Sequence, residues 1–202
     1  MVTILNEHQL VLAIKEGDKN SFAQLVDTYK NKIYSMAYKF TNDYGDAQDL
    51  AQEIFIKIYG QIGRFQGNSK LSTWIYKVGI NTCIDWKRKK DRLRETSLTA
   101  LNLTKHNHII INNTILDKTP ENKTIHNEEQ RELHQIIYNM SEIYKIVIIM
   151  YHFNNMSYEE IGKSLNIPIK TVETRLYRAR KILKSKLSKQ NIFNVEVMSN
   201  EL

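Results

Sequence analysis

Between Phe22 and Phe40 the apolar residues Phe22, Leu25, Val26, Tyr29, Ile33, Met36, Ala37 and Phe40 recur at steps of three and four. At about 100° of rotation per residue this rhythm lays one apolar stripe along an α-helix of about five turns, and it is incompatible with a strand, whose side chains change face at every residue. The same steps mark a short helix at Leu10, Val11 and Ile14, closed by Gly17, and a longer one after Gly45 at Ala47, Leu50, Ala51, Ile54 and Ile58. Only two prolines and seven glycines punctuate the 202 residues, and no alternating pattern competes. The fold class is therefore all-α. A glycine-spaced loop, GQIGRFQGNSKL, leads into a further helix near Ser72, so four helices make up a first domain over residues 1–92.

From 93 to 127 the pattern degrades into Thr, Asn and Lys with Pro120, which reads as a flexible linker, although its HIIINNTIL run is apolar enough to pack on something. A second helical domain follows over 128–189, with a tail at 190–202. Leu133, Ile136, Ile137 and Met140 mark one helix, and SEIYKIVIIMYHF a strongly apolar one. Ser157 and Glu160 then form a capping box ahead of a short helix carrying Ile161 and Leu165. The NIP at 166–168 ends it, and a basic helix begins. Two short-linked helices with the second one basic have the shape of a helix-turn-helix. On the second, Val172, Leu176, Ala179 and Leu183 form the packing stripe. Lys170, Thr174, Tyr177, Arg178 and Lys181 face away from it, a set suited to guanine edges, thymine methyls and phosphates in a major groove.

Residues 72–90, STWIYKVGINTCIDWKRKK, carry two faces. Ile75, Val78, Gly79, Thr82 and Trp86 form an ordinary buried side. Trp74, Lys77, Asn81 and Arg88 line up elsewhere, at helical spacings. A flat ring, an amide that donates and accepts, and two cations suit unpaired bases and their phosphates, since stacking on an aromatic contributes about 1–3 kcal/mol per base. Trp74 also reads as a core anchor, alone or in addition. In DAQDLAQEIFIKIY, Asp46, Asp49 and Glu53 share one edge. Acidic residues in a first turn favour the helix macrodipole by about 0.3–1 kcal/mol, which accounts for Asp46 and Asp49 equally well. Glu53 lies two turns in, so the acidic edge as a whole points to a partner with basic residues.

The charge balance matters through its distribution. Against a net +7, residues 87–94 hold Lys87, Arg88, Lys89, Lys90, Arg92 and Arg94 with only Asp91, and residues 170–189 hold eight Lys and Arg with only Glu173. Two separated cationic clusters fit a polyanion touched at two places. The single Cys83 excludes an internal disulfide, and no apolar run reaches the length of a membrane span, so a cytoplasmic protein is expected. His106 and His108 form H-x-H without further ligands, which leaves no metal site to propose, and no catalytic constellation emerges.

In order, SFAQLVDTYKNKIY, DAQDLAQEIFIKIY, FQGNSKLSTWIYKVGINTCIDWKRK, a linker and MSYEEIGKSLNIPIKTVETRLYRARKIL resemble the extracytoplasmic-function sigma factors of bacterial RNA polymerase, in the sigma-70 family. The resemblance spans both helical halves. It implies that Asp46, Asp49, Gln52 and Glu53 dock on the coiled coil of the polymerase β′ clamp. Asn68, Ser69, Lys70, Thr73, Trp74, Lys77, Asn81 and Arg88 would take melted minus-ten DNA. Lys170, Thr171, Thr174, Arg175, Tyr177, Arg178 and Lys181 would read the minus-thirty-five duplex. Implied partners are core RNA polymerase, through its β′ clamp and β subunit, and promoter DNA; a membrane-linked anti-sigma protein often joins them in this family. No cofactor and no small-molecule substrate are implied. Two departures, Lys170 where a glycine is frequent and Glu173 where a basic or polar residue is frequent, bar transfer of promoter sequence from relatives. The competing reading is a freestanding helix-turn-helix regulator, which would have no use for the acidic edge beside the Trp/Asn/Lys stripe.

Overall fold

A computed structural model describes residues 7–101 and 124–189, and every regular element among them is helical. The first half comprises α1 (Glu7–Lys15), α2 (Lys19–Thr41), α3 (Tyr44–Gln61), a 3-10 turn at Ile62–Arg64, and α4 (Leu71–Leu101). Local chemistry sets the boundaries. The Asp18 carboxylate caps α2 by accepting from the Asn20 and Ser21 backbone N–H groups. Asn42 closes it at φ 54°, and Asp43 at once caps α3 through the Asp46 N–H, so α2 and α3 form a tight antiparallel pair. Leu25, Ile33, Met36, Phe40, Leu50, Ile54, Ile58, Leu71, Ile75 and Ile80 are essentially sealed from water between α2, α3 and α4. Each contributes on the order of 1.5–3 kcal/mol relative to exposure. α4 crosses α2 closely at Gly79, where an added Cβ would stand 3.1 Å from Met36 Sδ.

The second half comprises α5 (Thr124–Tyr138), α6 (Glu142–Ile148), a π turn at Ile149–Phe153, α7 (Tyr158–Leu165) and α8 (Ile169–Lys189). Ile137, Val147, Ile149, Met150, Ile161, Val172, Leu176 and Ala179 form its core, and the stripe expected on the last helix is buried as read. The capping box of Ser157 and Glu160 is present, and Asn166 at φ 53° ends α7. Between α7 and α8 the chain passes so close to Gly162 that a Cβ there would meet the Ile167 carbonyl oxygen at 3.0 Å.

Three elements differ from the sequence reading, the first being α5, which begins at Thr124, inside the linker expected over 93–127, because the stretch after Pro120 holds no further proline or glycine. SEIYKIVIIMYHF is not one uniform helix: after Ile148 the backbone widens, and the Asn154 N–H reaches the Ile149 carbonyl five residues back. α4 continues to Leu101, past the start expected for the linker, because RLRETSLTAL contains no proline or glycine to stop it. His106, His108 and the HIIINNTIL run lie outside the described residues.

The halves pack on one another, α2 against α5 and the π turn, and α4 against α7. Gln135 Nε2 donates to Asn42 Oδ1 at 3.1 Å, and His134 Nε2 lies 2.7 Å from the same oxygen. The Tyr38 and His134 rings stack at 4.2 Å, and Lys39 Nζ sits 3.9 Å from the Phe153 ring centroid.

Candidate nucleic-acid and protein interfaces

On α4 the stripe read from the sequence is physically one surface. Lys77, Asn81 and Arg88 are exposed and Trp74 is half-buried, its ring packed against Phe65 at 5.6 Å between centroids. Trp74 thus is anchored in the core and presents an edge. Asn68, Ser69 and Lys70 are exposed on the loop just before this helix, and Asn68 Nδ2 donates to Gln66 Oε1 at 3.2 Å. Gly67 turns that loop at φ 75°. Lys15 ties it to α1 by donating to the Phe65 carbonyl at 2.8 Å. Between α1 and the loop opens a cleft of about 870 Å³ lined by Val11, Leu12, Lys15, Phe65, Gln66 and Ser69. Glu7, His8 and Arg64 line it as well, so its apolar walls carry charges of both signs.

Thr73 behaves differently from its neighbours. It is buried, and its hydroxyl donates to Glu160 Oε1 of α7 at 2.8 Å. Lys70 Nζ lies 3.8 Å from the same carboxylate oxygen. The Ser157 backbone N–H binds the other oxygen at 2.8 Å and is the main reason the Glu160 carboxyl is held below its usual range. Burial opposes that shift, while Thr73 and Lys70 reinforce it.

The acidic edge of α3 is present but not uniformly free. Asp46 is ion-paired with Lys90 from the cationic stretch of α4, and Glu53 with Lys57 one turn on at 3.0 Å. Asp49 and Gln52 are exposed, and Asp49 has no ion pair among the described residues. Ile56 continues this edge and is 64% exposed, with Tyr59 exposed beyond it. Sequence reading passed over Ile56. The signal was there: it is a large apolar residue that does not fit the 47-50-51-54-58 stripe.

On α8, Lys170, Thr174, Tyr177, Arg178 and Lys181 project outward, and Thr171 and Arg175 are partly covered. Tyr177 is the most exposed large apolar side chain among the described residues. Thr174 donates its hydroxyl to the Lys170 carbonyl at 2.8 Å, which leaves its methyl group and an acceptor lone pair outward. Arg180 is committed inward: its Nε donates to His152 Nε2 at 3.4 Å, and the guanidinium lies 5.1 Å from the Tyr151 ring centroid. Cys83 is fully buried, and burial pushes its thiol far above the usual range, so it is an inert packing residue. Among the described residues no cluster of His, Cys, Asp or Glu is arranged to hold a metal, and no helix is long and apolar enough to cross a membrane.

Comparison with known proteins matches the two halves separately. Residues 25–93 match sigma-70 region 2, and residues 130–183 match sigma-70 region 4. The chain is 36% identical over 177 residues to the ECF RNA polymerase sigma factor SigW of Bacillus subtilis, covering 86% of this chain and 92% of that one. It is 32% identical over 186 residues to the RNA polymerase sigma-H factor of Pseudomonas aeruginosa, covering 91% and 94%. In fold it is similar to CnrH, solved in complex with the cytosolic domain of CnrY, with a TM-score of 0.65 at 18% identity over 91% of this chain and 97% of that one.

Proposed function

The chain belongs to the extracytoplasmic-function group of the sigma-70 family and is a sigma factor of RNA polymerase, and on that premise we propose how its surfaces divide the work of promoter-specific initiation. Its partners are core RNA polymerase and promoter DNA. The first half, residues 1–92, docks on core through the α3 edge, with Asp49, Gln52 and Glu53 supplying polar contacts and Ile56 an apolar one. Asp46 joins them when Lys90 releases it. The same half takes melted minus-ten DNA: Trp74 stacks a base, Asn81 and the Asn68–Ser69 loop meet base edges, and Lys70, Lys77 and Arg88 hold phosphates. The second half, residues 128–189, enters the minus-thirty-five major groove with Lys170, Thr171, Thr174, Arg175, Tyr177, Arg178 and Lys181. No catalytic chemistry is assigned to the chain, and it works in the cytoplasm.

The observation that carries this reading is the exposed Trp74/Lys77/Asn81/Arg88 stripe on one half and the exposed basic face of α8 on the other, each on a helix whose opposite face is core. Run-off transcription with purified core polymerase and genomic fragments tests it. Discrete transcripts that depend on the added chain are expected. A chain that binds duplex DNA but never programmes core for initiation would instead be a freestanding regulator.

A further inference from the structure

We propose that Lys15, the last residue of α1, is a positioning residue for the base-reading loop: by holding the Phe65 carbonyl it fixes Phe65 against Trp74 and sets how strictly one base of melted DNA is chosen. This rests on the base-reading assignment above. α1 is a fixed support, since Leu10, Val11 and Ile14 bury one of its faces in the core of the first half. From its end the Lys15 ammonium donates to the Phe65 carbonyl at 2.8 Å, 50 positions along the chain. Phe65 is thereby held at three points. Its N–H donates to the Ile62 carbonyl at 3.0 Å, its carbonyl accepts from Lys15, and its ring packs against the Trp74 ring at 5.6 Å.

Beyond Phe65 the loop has little to hold it in place. Residues 66–70 are exposed, and Gly67 takes a left-handed turn at φ 75°. The hydrogen bond from Asn68 to Gln66 lies within the loop, so it sets local shape and not where the loop stands. Between the loop and α1 lies the cleft of about 870 Å³, which Lys15 lines, so the Lys15 bond reaches across open space as a tether. What the tether protects follows from the two kinds of contact on offer. Stacking on Trp74 tolerates small displacements and accepts any base, because every base has a flat face. Hydrogen bonds from Asn68 and Ser69 to base edges weaken steeply once distance or angle slips, and only these tell one base from another. Loss of the tether is therefore expected to relax the choice of base more than it weakens binding. A cation in the last turn of α1 also favours the helix macrodipole, and that role alone would act on stability and not on selection.

Two variants isolate the tether. Lys15→Met keeps the apolar stem and removes the donor, and Lys15→Arg restores a donor for the same carbonyl. Lys15 is exposed, so neither change opens a hole in the core. Each full-length chain is combined with core polymerase and given a promoter recovered by run-off transcription, its minus-ten positions randomised; templates held in heparin-resistant open complexes are sequenced. Wild type is expected to enrich one base at the captured position. Lys15→Met is expected to enrich it roughly three- to ten-fold less, the loss of one hydrogen bond, and Lys15→Arg to recover most of the difference. Co-elution with core and the melting temperature should be alike in all three. Enrichment by Lys15→Met equal to wild type, or an equal loss in Lys15→Met and Lys15→Arg, overturns the tether and leaves the base-reading assignment standing. No base enriched even by wild type, or wild-type selection by a chain carrying both Trp74→Ala and Asn81→Ala, removes the base-reading assignment and the tether with it.

Discussion

Trp74 is asked to do two things, and its variants separate them. The ring is half-buried against Phe65 yet faces the stripe that carries Lys77 and Asn81. Trp74→Ala is expected to lower promoter opening by roughly ten-fold, the equivalent of about 1.4 kcal/mol of stacking, and to lower the melting temperature slightly through lost packing. Asn81→Ala is expected to impair opening with the melting temperature unmoved, because Asn81 is exposed and supports nothing. Both variants should still co-elute with core polymerase, whereas Asp49→Lys should not; opening kinetics by permanganate footprinting and gel filtration with core check the three. At this scale exposure was most legible where it depends on one face of one helix, as in the stripe on α4 and the outward face of α8. The sequence reading missed what depends on distant partners. Thr73 and Glu160 are 87 positions apart, and Asp46 and Lys90 are 44 apart, separations across which no periodicity carries information. Asp46, read as part of an acidic edge or as a first-turn charge favouring the macrodipole, is in addition paired with Lys90.

Among elements, α8 of the pair α7–α8 divides its cations between an exposed and an inward-turned set. Arg178 projects outward and Arg180 is tied to His152 and Tyr151, so two cations only two positions apart have opposite expectations. Arg178→Ala should weaken duplex binding and reduce the slope of affinity against salt by about one. Arg180→Ala should lower thermal stability and leave that slope nearly unchanged; fluorescence anisotropy over a salt series, beside a melt, distinguishes them. The turn that sets the angle between the two helices depends on Gly162. Alanine there gains up to about 1 kcal/mol of helix propensity. It also drives a Cβ to 3.0 Å from the Ile167 carbonyl, a backbone atom that cannot swing aside, and overpacking of this kind costs about 1–3 kcal/mol. Gly162→Ala is therefore expected to destabilise the second half in a thermal melt. Helix existence and the α7 start and stop were legible because Ser157, Glu160, Asn166 and Pro168 act locally. The π turn after Ile148 was not, since an apolar run reads the same whether its backbone is α-helical or widened, and the extension of α4 to Leu101 was missed because low apolar periodicity was taken for an end of helix.

At the scale of the whole molecule, the two halves meet through groups whose protonation differs between the packed and the parted state, and that fixes how closure responds to pH. Burial pulls Lys39 down to about 8 from its ordinary 10.5. Burial likewise brings Lys145 to about 8, with Lys87 adding to the effect and Glu142 and Asp91 opposing it. Burial, then Lys39 and Lys145, pull His134 down to about 4 from 6.5. In each case the closed state binds fewer protons than the open one between the two values, so closure strengthens as pH rises through that window. For His134 the window is about 4 to 6.5: closure is lost as pH falls through it. For the two lysines it is about 8 to 10.5, and closure gains there as the buried ammonium groups shed their protons. Between about 6.5 and 8 neither set titrates differentially, and the response should be flat. Energy transfer between labels on the two halves, measured without DNA from pH 4.5 to 9.5, should therefore rise, level off and rise again. Lys39→Met keeps the buried stem and removes the charge, so it should raise transfer at pH 7 and flatten the alkaline step while leaving the acid one intact. A single sigmoid that Lys39→Met does not alter would show that the lysines already sit in water, and that the halves are held apart on average.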